Sequence, residues 1–390
     1  IGLETGAFNL REVVDATVHE HRALSISGLF YGSAYMLCGQ QVDYLDKRLQ
    51  QMDWLALVEE NRAVQFRAVP ELFPVVAAFY ARLFAGELGF DSVQRFVVEP
   101  ELLGVDFGDR AAEPSFLSYD HPAVRIFRRR EGATLAAWRE ELGASAACAD
   151  GGLRAVADAL ERGSKEEALE RAAQLRVRYP QVALVHLLAA EAHWRRGDED
   201  EGEAAYQRFL PERAEGRMKY VRRSPFGHYT PGDAALACVE LGLEELALRV
   251  LRRGVAEVEL AGAVQALEMA ESYLEVGRVL LRRSRTAPME EVVELSLAIH
   301  PHKVAYNVLA TAAFERGDYE RAVAQWRKSL ALDEAQGDTH ATLGQVLLAK
   351  RGAPREALVH LQRALQLDSI RTAELEKWIA AAQTALEQEH

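Results

Sequence analysis

The chain has 390 residues, of which 49% are hydrophobic and 27% charged, a composition typical of a soluble globular protein with two or three domains. Its formal net charge of −13 argues against a dedicated binder of nucleic acid or anionic membranes, because such surfaces need excess Lys and Arg. No apolar run of about eighteen residues and no signal-peptide pattern is present. Since the sequence begins at Ile1, a membrane segment upstream stays an open alternative.

The first 132 residues predict a small α/β domain. Four short runs rich in β-branched or aromatic residues predict strands: "RALSIS" (22–27), "DWLALV" (53–58), "RFVVE" (95–99) and "AVRIFR" (123–128). Between them, "YLDKRLQQM" and "ELFPVVAAFYARLFAG" have helical spacing. Because strands alternate with helices, we expect a mostly parallel sheet with the last strand at an edge. A helical connection is predicted over residues 133–150.

The last predicted strand is preceded by the turn "SYDHP". An aspartate beside a histidine can act as a base in catalysis, but a structural turn explains these residues better. Asp120 can accept backbone N–H bonds, and Pro122 favours an extended conformation at His121. We interpret the four arginines at 125 and 128–130 as solvated, with lipid headgroups as the alternative.

The two blocks "LFPVVAAFYARLFAGELGFDSVQRF" (72–96) and "EPSFLSYDHPAVRIFRR" (113–129) follow "DWLALVEENRAVQF" (53–66). In order and spacing they resemble the soluble C-terminal portion of polytopic membrane glycosyltransferases of the dolichyl-phosphate-mannose protein mannosyltransferase type, and related YYY-type membrane proteins. The resemblance covers roughly a fifth of the chain. It implies an extracytoplasmic domain without the catalytic centre, since that family's acidic residues lie between transmembrane helices and have no counterpart here.

From about residue 151 onward, amphipathic helical pairs recur. The unit "AYNVLATAAFERGDYERAVAQWRKSLALDEAQ" (305–336) consists of two predicted helices joined at a glycine, and it resembles a tetratricopeptide repeat. The same pairing of an interhelix glycine with a small residue five positions later recurs at Gly163 and Ala168, Gly197 and Gly202, Gly242 and Ala247, and Gly317 and Ala322. We therefore expect about six repeats over 151–369, forming an all-α superhelical solenoid, and a capping helix over 370–390. The stretch 263–300 is interpreted as a degenerate copy with a stretched connection.

An insertion over 212–231 interrupts this array. It concentrates basic and aromatic side chains that suit an anionic or sugar-like ligand, although a packed irregular connection is the alternative. Its candidate binding residues are Lys219, Arg222, Arg223, His228 and Tyr229.

The first helix of each repeat lines the concave groove in which such arrays bind extended peptides or helices. Alignment to the repeat pattern assigns Glu191 and Trp194 to this groove, and also Asn307, Thr311, Phe314 and Gln345. Trp194 and Phe314 packing against inserted segments is the alternative.

The sequence predicts no catalytic residue, cofactor or metal site. Nucleotide-binding, metalloprotease and hydrolase motifs are absent. The acidic run "GDEDEGE" (197–203) is interpreted as an interhelix turn. Cys38, Cys148 and Cys238 lie far apart and form no CxxC pair, so we expect buried apolar residues rather than a zinc site or disulfides.

Three functions stay open. The first is a non-catalytic protein-interaction region attached to an extracytoplasmic domain of a glycosyltransferase-like protein. The second is the substrate-recognising part of a membrane glycosyltransferase that uses a lipid-linked sugar donor. The third is a cytoplasmic scaffold, in which the N-terminal resemblance is accidental.

Overall fold

The computed structural model describes residues 2–3, 24–25, 36–58, 67, 70, 73–96, 101–102, 105–106, 123–132, 136–143, 148–210, 218–219, 231–260, 262–367 and 372–388. The chain forms two compact units. Unit 1 comprises Ile1–Gly216 and Val221–Leu243, and unit 2 comprises Arg217–Tyr220 and Glu244–His390. The predicted turn Asp120–Pro122 lies outside the described residues.

The N-terminal part of unit 1 contains a five-stranded sheet and flanking helices. In chain order the elements are β1 (Gly2–Leu3), β2 (Leu24–Ser25), α1 (Cys38–Leu49), β3 (Trp54–Val58), α2 (Pro74–Phe84), β4 (Phe90–Phe96), β5 (Glu101–Leu102), β6 (Val105–Asp106), β7 (Val124–Arg129) and α3 (Ala136–Gly143). The strand order in the sheet is β2-β1-β3-β7-β4, and β5 pairs separately with β6.

The three long strands do not form the parallel sheet that the sequence predicts. β7 pairs antiparallel with β3, where Leu55 lies opposite Phe127, and antiparallel with β4, where Arg95 lies opposite Arg125. Within this sheet, the parallel pairs are those that the two-residue strand β1 forms with β2 and with β3. A parallel neighbour requires a crossover connection, usually a helix, whereas the described part of the β4–β7 connection holds only β5 and β6. The expected edge position of β7 is also wrong, because β7 lies between two strands.

The core of this domain lies between the sheet and the helices. The rings of Phe79 and Tyr80 on α2 are fully buried, as are Leu55 on β3 and Phe127 on β7. Trp138 on α3 belongs to the same cluster, so the predicted connecting segment packs onto the domain. Burying an aromatic or aliphatic side chain contributes about 1.5–3 kcal/mol, which makes this cluster the main source of the domain's stability.

The remainder of unit 1 consists of helices: α4 (Asp150–Glu161), α5 (Lys165–Arg178), α6 (Leu184–Arg196), α7 (Glu199–Phe209) and α8 (Pro231–Glu240). α4 packs on α5, and α6 packs on α7. Gly197 ends α6 in the left-handed conformation, with φ of 93°, and its N–H group donates to the carbonyl of Trp194. Glycine adopts this conformation without the penalty of a side chain, so the predicted interhelix position is explained.

Unit 2 continues with α9 (Glu244–Glu257), β9 (Val258–Glu259), α10 (Ala263–Arg282), α11 (Thr286–Ile299), α12 (Lys303–Glu315), α13 (Tyr319–Leu332), α14 (Gly337–Arg351), α15 (Pro354–Leu367) and α16 (Thr372–Gln388). A short strand of the insertion, β8 (Met218–Lys219), pairs in parallel with β9. α10 and α11, α12 and α13, and α14 and α15 pack as consecutive hairpins. These hairpins are similar to the predicted tetratricopeptide repeats in their helix pairing and in the position of the turn between the helices.

The segment 263–300 is more regular than its sequence suggests. α10 and α11 are separated by a short turn in which Ser284 takes the left-handed conformation, with φ of 59°. Ser284 occupies the position that glycine has in the other hairpins. A search for interhelix glycines therefore misses this turn. The predicted stretched connection is therefore absent.

Cys38 and Cys148 form a disulfide bond, and their Cα atoms are 6.1 Å apart. The Asp150 carboxylate accepts hydrogen bonds from the backbone N–H groups of Cys38 (2.9 Å) and Gly39 (3.0 Å) at the start of α1. The bond and the carboxylate together fix the first turn of α1 to the start of α4. We call this group of residues the Cys38–Cys148 junction.

The expectation that none of the cysteines forms a disulfide is wrong for Cys38 and Cys148. Their sequence separation of 110 residues gives no indication that they meet in the fold. Cys238 is a buried free thiol, as predicted. Burial, with a smaller contribution from the Glu191 carboxylate, raises its pKa, so it behaves as an apolar core residue.

The disulfide gives a direct prediction for thiol counting. Denatured protein alkylated without reductant should carry one label, on Cys238, and three labels after reduction, as measured by intact mass.

The double variant Cys38→Ser, Cys148→Ser should lower the free energy of unfolding by about 2–5 kcal/mol, because the unfolded chain regains the freedom of a long loop. Reductant should destabilise the native protein and leave the double variant unaffected. Three labels without reductant would show that the bond is absent.

Candidate partner-binding surface

The candidate surface in unit 2 is the exposed side of the first helices of its hairpins. We call it the first-helix face and define it by Arg278 on α10, by Asn307, Thr311 and Phe314 on α12, and by Gln345 on α14. On α12 these residues are spaced by four and three positions, so they lie along one side of the helix. Arg278, Thr311 and Gln345 are 33 and 34 residues apart, about one repeat period.

Phe314 is the most prominent apolar group on this face, with 36% of its surface exposed. Its ring lies 5.7 Å from that of Tyr319 and 6.1 Å from that of Trp326, both on α13. Trp326 itself is buried in the core of the hairpin. The inner side of Phe314 is thus fixed by aromatic contacts while its outer side is available to a partner.

Asn307 belongs to a polar network between adjacent hairpins. Its Nδ2 atom donates to Gln336 Oε1 (2.9 Å) and to Thr339 Oγ1 (3.3 Å). Gln336 Oε1 also accepts from Ser329 Oγ (3.2 Å), while Gln336 Nε2 donates to the carbonyl of Asp333 (2.7 Å). Asn307 Oδ1 is buried and accepts no hydrogen bond from the described residues. The amide group of Asn307 therefore joins the two hairpins.

Thr311 and Gln345 differ in how much they offer to a partner. Thr311 is exposed, and its hydroxyl donates to the carbonyl of Asn307 (3.0 Å), which leaves the oxygen lone pairs facing outward. Gln345 is half-buried and donates to Glu374 Oε1 (3.4 Å) on the terminal helix α16. The neighbouring Ala341 is buried under the same helix, in a cluster that includes Leu375. α16 therefore covers one end of the first-helix face.

Sequence reasoning missed Arg278, because the turn after its helix has Ser284 in place of glycine and so concealed the repeat. The signal was Gly277, whose added Cβ would lie 2.8 Å from Val293 Cγ2 on α11, the close contact expected between paired helices. When Gly277 is assigned to the glycine position at which the first helix of a repeat packs closely on the second, Arg278 aligns with Thr311. Arg278 is half-buried and donates to Glu275 (3.3 Å).

The residues predicted for the groove in unit 1 lie elsewhere. Glu191 is only 3% exposed, and its Oε1 accepts from Arg195 Nε at 2.7 Å. Trp194 packs on α7, where an added Cβ at Gly202 would lie 2.4 Å from the indole Cδ1, and its ring is 5.8 Å from that of Tyr206. Since Gly202 leaves space for the indole, Trp194 turns into the hairpin, and these two positions act in packing.

Of the insertion, the structure describes the backbone of Met218 and Lys219, which forms β8. The other candidates, Arg222, Arg223, His228 and Tyr229, lie outside the described residues. Their role in binding an anionic or sugar-like ligand stays a prediction.

Two histidines meet within the last hairpin. The Nδ1 atoms of His340 on α14 and His360 on α15 are 2.9 Å apart, and burial is the largest cause lowering the pKa of each ring. Across the part of the chain that the structure describes, no group of three or more metal-binding side chains is present. Nor does any described helix combine the length and apolar character needed to cross a bilayer.

No protein-family model and no curated protein matches the chain. The glycosyltransferase resemblance therefore has no support from either comparison. Among solved structures, the chain is similar to the APC/C hetero-tetramer Cut9-Hcn1, with 17% identity over 60% of this chain and 42% of that chain, and a TM-score of 0.28.

Two further similar structures are named as tetratricopeptide repeat proteins. The C-terminal part of a repeat protein from Cytophaga hutchinsonii has 12% identity over 60% of this chain and 98% of that chain, with a TM-score of 0.29. The TPR2AB-domain:pHSP90 complex of yeast Sti1 has 14% identity over 60% and 98%, with a TM-score of 0.26. At such low scores, nothing about the partner of this chain follows from them.

The polar network predicts that Gln336 holds adjacent hairpins together. Gln336→Ala should lower the free energy of unfolding of unit 2 by about 1–3 kcal/mol, because the buried Ser329 and the half-buried Asn307 lose a partner. The control is Gln362→Ala on the exposed side of α15, which should change it by less than about 0.5 kcal/mol. Urea unfolding followed by circular dichroism measures both. Equal effects of the two substitutions would contradict the role of the network.

Proposed function

We propose that this chain is a non-catalytic interaction scaffold whose first-helix face binds an extended segment of a partner protein. The observation that carries the proposal is the half-exposed Phe314, fixed by Tyr319 and Trp326 beside the exposed Thr311. Aromatic side chains held in one position are typical of binding hot spots, because little conformational freedom is lost when a partner packs on them. Arrays of paired helices commonly use this surface for peptides.

The chemistry of the face sets requirements for the bound segment. An apolar side chain would pack on the outer side of Phe314, and backbone N–H groups would donate to the Thr311 hydroxyl. The buried Oδ1 of Asn307, which has no hydrogen-bond partner among the described residues, lies one helical turn before Thr311, so the polar groups and the aromatic ring follow the same line along α12. An extended segment matches this line better than a folded surface does.

Selection of peptides from a random library on the intact protein tests this proposal. Peptides selected on the native chain should lose about tenfold or more in affinity for Phe314→Glu, because a charge replaces the apolar contact. The matched control is Val359→Glu, at a side chain with 61% exposure on the second helix α15, which should leave the affinity unchanged. Failure to enrich any peptide, or equal losses in the two variants, would reject the first-helix face as the binding surface. Fluorescence anisotropy gives the affinities.

A second proposal concerns the origin and location of the chain. We infer that its N-terminal domain is an extracytoplasmic part of a glycosyltransferase-like membrane protein. Two observations support this: the blocks over residues 53–129 that resemble such proteins, and the Cys38–Cys148 disulfide. Disulfides persist in oxidising compartments and are rare in the cytosol.

Alkylation in living cells before lysis tests the location. If the chain is extracytoplasmic in its native host, Cys38 and Cys148 stay bonded to each other there. When the protein is then denatured with excess alkylating reagent present, only Cys238 should become labelled. Labelling of Cys38 and Cys148 as well would place the chain in a reducing compartment.

For the enzyme alternative, the reading frame upstream of Ile1 decides: about a dozen hydrophobic spans support it, and a start codon next to Ile1 excludes it. Turnover of a lipid-linked sugar by the chain alone would contradict a non-catalytic scaffold.

A further inference from the structure

A cavity of about 210 Å³ lies in unit 1 between α5, α6 and α7, whereas the first-helix face belongs to unit 2. Its apolar lining is contributed by all three helices and consists of Leu169, Ala172, Ala173, Val185, Ala189 and Ala205. Four basic side chains complete the lining: Arg176, His186, His193 and Arg208. We call this site the α5–α7 pocket.

The pocket exists because alanines and histidines occupy positions at which the repeat pattern has large apolar or aromatic residues. The pattern places Phe four residues after the small residue of the second helix, and this chain has Ala172 there, after Ala168. It places Trp, Leu and Tyr along the first helix of the next repeat, where this chain has His186, Ala189 and His193. Alanine in place of a large apolar residue at Ala172 and Ala189 leaves the apolar space open to the surface.

The charges at the pocket differ from those of the surrounding surface. Most nearby arginines are neutralised: Arg171 pairs with Glu167 (2.8 Å), and Arg195 pairs with Glu191 (2.7 Å). In contrast, no described carboxylate forms an ion pair with Arg176 or Arg208. In a chain with a net charge of −13, two unpaired arginines lining one cavity favour the binding of an anion.

The histidines of the pocket support this assignment. Burial, followed by the charges of Arg176 and Arg208, lowers the pKa of His186, and all three side chains line the same pocket. The Nδ1 atom of His193 is buried without a hydrogen-bond partner, and Asp198 Oδ2 is 3.7 Å from it. The lining itself contains no carboxylate, and the Asp198 carboxylate next to it is also paired with Arg196.

We propose that the α5–α7 pocket binds a carboxylate carried on a small apolar group, with the apolar part between the alanines and the carboxylate on Arg176 and Arg208. The guanidinium group suits a carboxylate because it can donate two parallel hydrogen bonds. The cavity is smaller than the roughly 300–1,000 Å³ of sites for drug-sized ligands, so it fits one aliphatic side chain rather than a large cofactor. The carboxylate can belong to a free organic acid or to the C-terminal residue of a polypeptide.

Isothermal titration with small probes tests the pocket in the full chain. N-acetyl-leucine mimics a C-terminal leucine, and N-acetyl-leucinamide, which has no carboxylate, is its matched control. Saturable binding of the acid, with at least about tenfold weaker binding of the amide, is the expected result. Absence of binding by any carboxylate probe, or equal binding of acid and amide, would overturn the proposal.

A third probe, 4-methylpentanoate, separates the two sources. It has the same aliphatic body without the acylamino group. Equal affinities of the two acids would assign the pocket to free organic acids, and about tenfold tighter binding of N-acetyl-leucine would assign it to polypeptide C-termini. Both results support a carboxylate site.

Variants locate the binding and separate it from folding. Arg176→Gln and Arg208→Gln should each weaken binding about tenfold or more, because a charged donor is lost at the carboxylate. Arg171→Gln, on the same helix but outside the pocket, should have no effect. Ala189→Leu restores the large residue of the repeat pattern and should abolish binding while leaving the unfolding temperature unchanged or higher. Unaltered affinity in both arginine variants would reject the α5–α7 pocket as the site. None of these results depends on the first-helix face.

Discussion

The paired helices touch through fully buried positions that hold glycine or alanine, and the rest of each hairpin is arranged around these contacts. An added Cβ at Gly344 would lie 2.7 Å from Leu361 Cγ and 3.1 Å from the carbonyl oxygen of Ala357. In unit 1, Gly202 receives the indole of Trp194 in the same way. Because the contact residue fixes the rotation of each helix, it also decides which side chains face outward. The outward position of Thr311 and the inward position of Trp194 both follow from it.

The two proposed sites use this constraint in opposite ways. At the first-helix face the large residues are present: Trp326 fills the hairpin and fixes Phe314, whose outer side is left for a partner. At the α5–α7 pocket the large residues are missing, and Ala172 and Ala189 leave a space between the three helices. One site is therefore a surface with an aromatic anchor, and the other is a cavity with charged groups at its edge. An extended chain segment and a small acid are the ligands that match these two shapes.

The repeats could be predicted from the sequence because their signals are local. An interhelix glycine and a small residue one turn into the next helix lie within a few positions of each other, as at Gly317 and Ala322. Ser284 shows the limit, since another residue in the same left-handed conformation removes the signal without changing the turn. The burial of Glu191 was hidden for a related reason. A position in the pattern names a helix face, but the neighbouring helix decides whether that face is covered.

The sheet and the disulfide depend on contacts between distant segments. Alternating strands and helices indicate a sheet, but the antiparallel position of β7 between β3 and β4 depends on a long connection whose path has no local signature. Cys38 and Cys148 likewise carry no indication of pairing within their own surroundings. Long-range pairing of this kind can be recognised only when the fold is known.

The Cys38–Cys148 junction also determines how the chain responds to mechanical force. The disulfide bridges a sequence separation of 110 residues, and the long strands β3, β4 and β7 all lie within that loop. When the two ends of the chain are pulled apart, tension passes through the sulfur–sulfur bond and bypasses the loop. While the bond is intact, the loop cannot be extended by the pulling force. Its extended length would be roughly 360–400 Å, at about 3.3–3.6 Å per residue. Under load, β3, β4 and β7 would thus bear no tension while the bond is intact, and its reduction would release that length.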